Sequence, residues 1–158
     1  MDSPDKPEEK MGPAFYAALG LIGILVLMIV VVNYPAARAH AGVEMTRTPW
    51  TLQSCTDPTG VHIPIIRGSN VTARFDGDGR MTGNSGCNWY AATYTTKDYA
   101  ISLSLESVTD MACRYPGIME QESAFLASLS KVSSFRVSES SLKFYDAAGT
   151  TVLAFVPA

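Results

Sequence analysis

Histidine is scarce: the 158 residues hold two, His40 and His62. A serine hydrolase needs a base within about 2.6–3.2 Å of its nucleophile, and zinc sites draw on Cys and His at fixed spacing. No His/Cys/Asp cluster here has zinc-ligand spacing, and nothing in the residue order sets His62 beside a serine. An excess of positive charge is missing too. From Glu44 to the C-terminus nine Lys or Arg stand against eleven Asp or Glu. That near-neutral, slightly acidic balance lacks the basic footprint that phosphate backbones require, so no nucleic-acid partner is expected. No repeat of solenoid period is visible either.

What is present begins with an apolar run without charge, "AFYAALGLIGILVLMIVVV", residues 14–32. A stretch of about 20 such residues spans a hydrocarbon core, and Tyr34 just beyond suits the headgroup level. The run is longer than the roughly 7–15 apolar residues of a secretory signal. An uncleaved single-pass anchor is therefore expected, the alternative being secretion after cleavage near Ala39 or Ala41. Lys6 and Lys10 precede the run, while Arg38 and Arg47 follow it, so charge alone does not orient it. The expected organisation is a disordered tail over 1–13, a transmembrane helix over 14–32, a linker over 33–48 and a domain over 49–158.

Within the domain, short alternating runs are cut by turn residues. "NVTARF" places Val71, Ala73 and Phe75 on one face and ends in "DGDGR". Asp-Gly between two such runs is a hairpin signal, because tight hairpin turns need positive φ. "RMTGNSG" and "CNWYAATY" continue the ladder, and "YAISLSLE" sets Ile101, Leu103 and Leu105 on one side. The period then changes: Ile118, Phe125, Leu126, Leu129 and Val132 recur at helical spacing. Pro116 suits the first turn of that helix, and Glu120 and Glu122 stand near its positive end. "SFRVS", "SLKFYD" and "TVLAFV" return to strands.

The order "WTL", "F-D-x-D-G-R-M-x-G-x-x-GCN-x-Y-x-x-x-Y", "T-D-MAC", "MEQESAFLASLSKV" and "L-x-F-Y-D-x-x-G" resembles the META domain of HslJ-like envelope proteins. The resemblance runs from about Trp50 to Phe155, and it rests on the "GCN" and "T-x-MAC" blocks occurring together ahead of the helix. It implies a mainly β, α+β fold: an antiparallel barrel-like sheet with one packed helix, here preceded by a single transmembrane helix. It implies no established catalytic activity, and no cofactor is expected. The expected role is a membrane-anchored, non-catalytic module of the cell envelope, its domain outside the cytoplasm. It would bind a protein or small ligand, or support the envelope under stress. The pattern has no counterpart for Cys55.

The resemblance also makes Cys87 and Cys113 part of one pattern, and so spatial neighbours. They are then either bridged or packed as buried thiols, and an exported domain permits the bridge. The competing function is a thiol or redox enzyme using the two, though Gly86 and Asn88 beside Cys87 supply no charge to favour a thiolate. Gly83, Gly86, Asn88, Thr109 and Met111 are expected to form the structural centre around them. Ser85 in "GNSGC" falls one residue short of a Gly-x-Ser-x-Gly elbow and is followed by a strand where the elbow needs a helix. Asp76 and Asp78 fail as a calcium loop, since Met81 and Cys87 occupy the positions requiring Gly and Glu. Trp50, Trp89, Tyr90 and Tyr94 read as core or cross-strand rings. "NVT" at Asn70 is an acceptor sequon at a strand start, open to N-glycosylation.

Overall fold

Gly-containing turns divide most of residues 50–157 into consecutive hairpins, and the strands they join pair in sequence order for most of the chain. The structure is a computed structural model that describes Gly12, residues 20–29 and residues 44–158. The chain divides into two units, Met1–Ala37 and Arg38–Ala158.

In the first unit, residues 20–29 are helical and exposed. Among the described residues no helix is long and apolar enough to cross a membrane. The rest of the run expected to span a bilayer, 14–19 and 30–32, lies outside the described residues. So do the expected tail (apart from Gly12), the expected linker up to residue 43 and the cleavage-site residues Ala39 and Ala41.

The second unit is a mainly antiparallel sheet with few helices. Its strands are β1 (Trp50–Thr56), β2 (His62–Ile63), β3 (Thr72–Phe75), β4 (Arg80–Asn84), β5 (Trp89–Lys97), β6 (Ala100–Val108), β7 (Ser134–Ser138), β8 (Ser141–Tyr145) and β9 (Thr151–Pro157). Helix α1 (Ile118–Leu129) lies between β6 and β7. The sheet runs β2-β1-β3-β4-β5-β6-β7-β8-β9, and β1 also pairs with β9. That last pairing is long, from Trp50↔Pro157 to Cys55↔Leu153 with one register shift. Residues 44–48, read from the sequence as the end of the linker, carry a helical turn over 44–47. Met45 there is fully buried, and its carbonyl accepts the Trp50 indole N–H at 2.9 Å.

Alternation along the strands sends Ala73, Phe75, Met81, Tyr90, Ala92, Tyr94, Leu142 and Phe144 inward. Trp50, Phe125, Phe135 and Phe155 complete the set of large, fully buried rings. Edge-to-face contacts link them in series: Tyr94 to Phe75, Phe75 to Phe144, Phe144 to Phe155, Phe155 to Phe125 and Phe125 to Tyr90. Each such pair adds about 0.5–1.5 kcal/mol to the burial of its rings. Phe125 therefore ties α1 to both halves of the sheet.

Two expectations are corrected. Pro116 does not open the helix: Gly117, at φ 82°, is its N-cap, and the first helical residue is Ile118. Leu103 is half-buried and Leu105 is 45 % exposed, although both alternate with Ile101. Strand β7 reaches β6 only at Ala100↔Ser134, and the β5–β6 register shifts between Ala91 and Ala92. The far half of β6 thus has a neighbour on one side: Leu103 and Val108 still pack against the core, but Leu105 stands open.

Candidate functional site

The connection from β4 to β5 is Ser85–Asn88, and its backbone is pinned by bonds within the turn itself. Ser85 N–H donates to the Asn88 carbonyl at 2.7 Å, and Gly86 N–H to Asn84 Oδ1 at 2.8 Å. Gly86 sits at φ 118°, a left-handed conformation that L side chains rarely adopt. Gly83 is required for a different reason: a Cβ there would run into the Thr72 carbonyl and stand 2.9 Å from the Tyr90 hydroxyl. That hydroxyl donates to the same Thr72 carbonyl at 2.9 Å, and burial pushes its pKa far above the usual phenol value.

Glu122 of α1 reaches into this turn, and only 5 % of its surface is exposed. Its Oε2 accepts from Ser85 Oγ at 2.5 Å, Asn88 N–H at 2.8 Å and Cys87 N–H at 3.3 Å, while Oε1 accepts from Asn88 Nδ2 at 2.8 Å. All of these donors are uncharged. Burial alone would raise the carboxyl's pKa, but the hydrogen bonds from Ser85, Asn88 and Cys87 outweigh it and hold Glu122 below its ordinary value. The carboxylate is thus a buried anion solvated by one turn of the chain.

Asn88 carries the third link. Its Oδ1 accepts from Thr109 Oγ1 and from Met111 N–H, each at 2.8 Å, while Nδ2 also donates to the Met111 carbonyl at 3.1 Å. Thr109 N–H donates to the Trp89 carbonyl at 2.9 Å, and Thr109 Oγ1 accepts Trp89 N–H at 3.1 Å. Cys87 and Cys113 are bridged, with Cα atoms 5.9 Å apart. Of the seven residues expected at the structural centre, Gly86, Cys87, Asn88, Thr109, Met111 and Cys113 meet in one assembly, and Gly83 lies on β4 against Thr72 and Tyr90. The assembly joins the β4–β5 turn, the segment after β6 and α1.

The arrangement offers little for nucleophilic chemistry. Ser85 is fully buried, and its oxygen lies against Glu122 and, at 2.7 Å, the Asn88 carbonyl, while His62 is exposed on β2. Both sulfurs of the Cys87–Cys113 pair are spent in the bridge. Cys55 is the one free cysteine; it is buried in β1, with Sγ 3.7 Å from Ser128 Oγ. Burial pushes its thiol up, Ser128 opposes this and the charge of Asp57 adds to it. Among the described residues no three His, Cys, Asp or Glu side chains are grouped to hold a metal. Asn70 is exposed ahead of β3. Of the four rings weighed from the sequence, Trp50, Tyr90 and Tyr94 are core, whereas Trp89 is 61 % exposed beside Thr109.

Sequence reasoning gave Glu122 a role at the positive end of the helix and missed its place at the centre. A signal was available: Glu122 stands four residues after Ile118 and three before Phe125, on the apolar stripe. Gln121 was missed as well. It is 1 % exposed, with Oε1 accepting Ile66 N–H at 2.6 Å and Nε2 donating to Ser69 Oγ at 2.9 Å. It moors the loop ahead of β3 to the same helix.

Residues 43–158 match the model of the META domain. Among solved structures, an NMR structure of a protein from Burkholderia xenovorans superposes with a TM-score of 0.62 at 25% identity, covering 75% of this chain and 86% of that one. A duf4847 family protein from Bacteroides vulgatus shares the fold with a TM-score of 0.54 at 14% identity, over 71% of this chain and 93% of its own. Among curated proteins, none matches this sequence. With its turn, bridge and helix assembled over the region the family model spans, the chain belongs to the META domain family.

Proposed function

We propose that this protein is a non-catalytic, HslJ-like module of the cell envelope that acts by binding rather than by turnover. Residues 14–32 tether it to the membrane as a single-pass helix, and the barrel-like META domain faces outside the cytoplasm. One observation carries this reading: the polar groups a catalytic site would expose are here buried and satisfied by one another. Ser85, Asn88 and Glu122 exchange hydrogen bonds, and Cys87 is bridged to Cys113. A bridge of this kind supports an oxidising compartment, because cytosolic thiols are kept reduced. The apolar length of residues 14–32 supports the tether.

Alkylation of the native, unreduced protein at neutral pH tests the reading against a thiol enzyme. No cysteine should react rapidly, and Cys55 should become modified only on unfolding. A single fast-reacting cysteine in the native state would sink the proposal.

A further inference from the structure

Beside the bridge, between the loop that Gln121 moors and the start of α1, lies a cavity of about 320 Å³. Ligand pockets run from about 300 to 1,000 Å³, so it has room for one small molecule. Ile118, Tyr115 and the bridged Cys113 give it an apolar lining, and Ser69 adds a hydroxyl. Arg67 and Arg114 also line it, and no described carboxylate does. Neither guanidinium has a hydrogen-bond or ion-pair partner among the described residues. Tyr115 is 58 % exposed, so its ring stands open next to unpaired positive charge.

Both arginines are mounted on pinned backbone. Arg67 lies in the turn closed by Ser69 N–H donating to the Ile66 carbonyl at 3.0 Å, and Gln121 holds the two ends of that turn. Arg114 follows Cys113, which the bridge fixes to the β4–β5 turn. Fixing the backbone at both positions removes part of the ordering cost of binding, and the exposed side chains supply the rest on contact. A guanidinium fork matches a carboxylate or phosphate in geometry as well as charge.

We propose that this cavity binds a small amphipathic anion, a carboxylate or phosphate carried on a short apolar chain or ring. The anion sits between Arg67 and Arg114, and the apolar part lies on Tyr115 and Ile118. The assignment rests on the reading of the domain as a module that acts by binding.

The test uses the full chain in phosphatidylcholine nanodiscs, titrated calorimetrically with octanoate against protein-free discs. Octanol and inorganic phosphate serve as probes that keep only one half of the chemistry. Octanoate should bind saturably at one site, with octanol and phosphate each at least about tenfold weaker. Arg67→Gln and Arg114→Gln, both at exposed positions, should each weaken octanoate about tenfold while leaving the unfolding midpoint unchanged. Equal binding of octanol, equal binding of phosphate, or full affinity in both arginine variants would overturn the assignment. If octanoate fails to bind while alkylation still finds no reactive cysteine, the cavity assignment falls and the non-catalytic reading stands.

Discussion

The domain keeps sulfur in two places and treats it in two ways. At the β4–β5 turn, Cys87 is bridged to Cys113 inside a mesh of side-chain hydrogen bonds. In β1, Cys55 stays a thiol between strand and helix, where its ladder partners are Ile63 and Leu153. The difference follows the backbone. Around Cys55 the pairings of β1 satisfy the main chain, and packing with one long contact to Ser128 Oγ holds the side chain. Around Cys87 the chain is irregular on both sides, over 85–88 and again over 109–117, so its polar groups depend on Glu122, Asn88 and Thr109. Cross-linking falls where secondary structure does not hold the chain.

Breaking the bridge should separate the two regions most widely. For a sequence separation of 26 residues, loop-closure entropy predicts about 3–4 kcal/mol of stabilisation. The double replacement Cys87→Ser with Cys113→Ser should lower the unfolding free energy by that amount in urea titrations. A loss below about 1 kcal/mol would mean that the hydrogen-bonded mesh holds these segments without the bridge.

Next in size is Glu122→Gln, which keeps the shape but turns one acceptor oxygen into a donor facing other donors. A cost of about 2 kcal/mol is expected, and the same replacement sharpens the comparison through pH. The pKa of Glu122 is lower in the folded chain than its reference value of 4.5. The stability it contributes is therefore present above that reference value and is lost as pH falls through the folded-state pKa. Asp57 is also held low, chiefly by its hydrogen bond from Thr59, and adds its own acid loss. The variant should therefore lose less stability than the parent between pH 5 and pH 3 (about one to two pH units around the ordinary carboxylate pKa). Equal acid losses in the two proteins would remove Glu122 from the centre of the site.

Smallest is Cys55→Ala, with an expected cost of about 1 kcal/mol. Ser128 keeps its bonds to the Thr56 carbonyl at 2.8 Å and the Ala124 carbonyl at 2.7 Å, so no buried group is orphaned. A cost comparable to that of losing the bridge would show that the thiol is more than packing.

How much of this was legible in the sequence depended on whether the cause was local. Turn chemistry is local, so "DGDGR" marked the hairpin β3–β4 correctly. The helix was legible from its apolar period, although its start was not, because Gly117 rather than Pro116 takes the capping position. The pairing of Cys87 with Cys113 came into view only through the family resemblance, since spacing does not choose among three cysteines. Exposure of Leu105 was illegible because it depends on where β7 stops, which β6 does not encode. Glu122 was hidden by a sound but smaller effect: a carboxylate near a helix start has an ordinary explanation, and that explanation left its buried partners unsought.

The odd thiol has a consequence for biogenesis. In the extended chain Cys55 stands almost as near to Cys87 as Cys113 does, and the entropies of closing the two loops differ by roughly a few tenths of a kcal/mol. Chance encounter therefore selects poorly between the right bridge and a wrong one. Timing can select where distance does not. The partners that position Cys87 and its turn lie between Val71 and Glu122, whereas the strand that walls in Cys55 is the last to be synthesised. Oxidation of the correct pair can thus be completed on a nascent chain while its C-terminal edge is still missing.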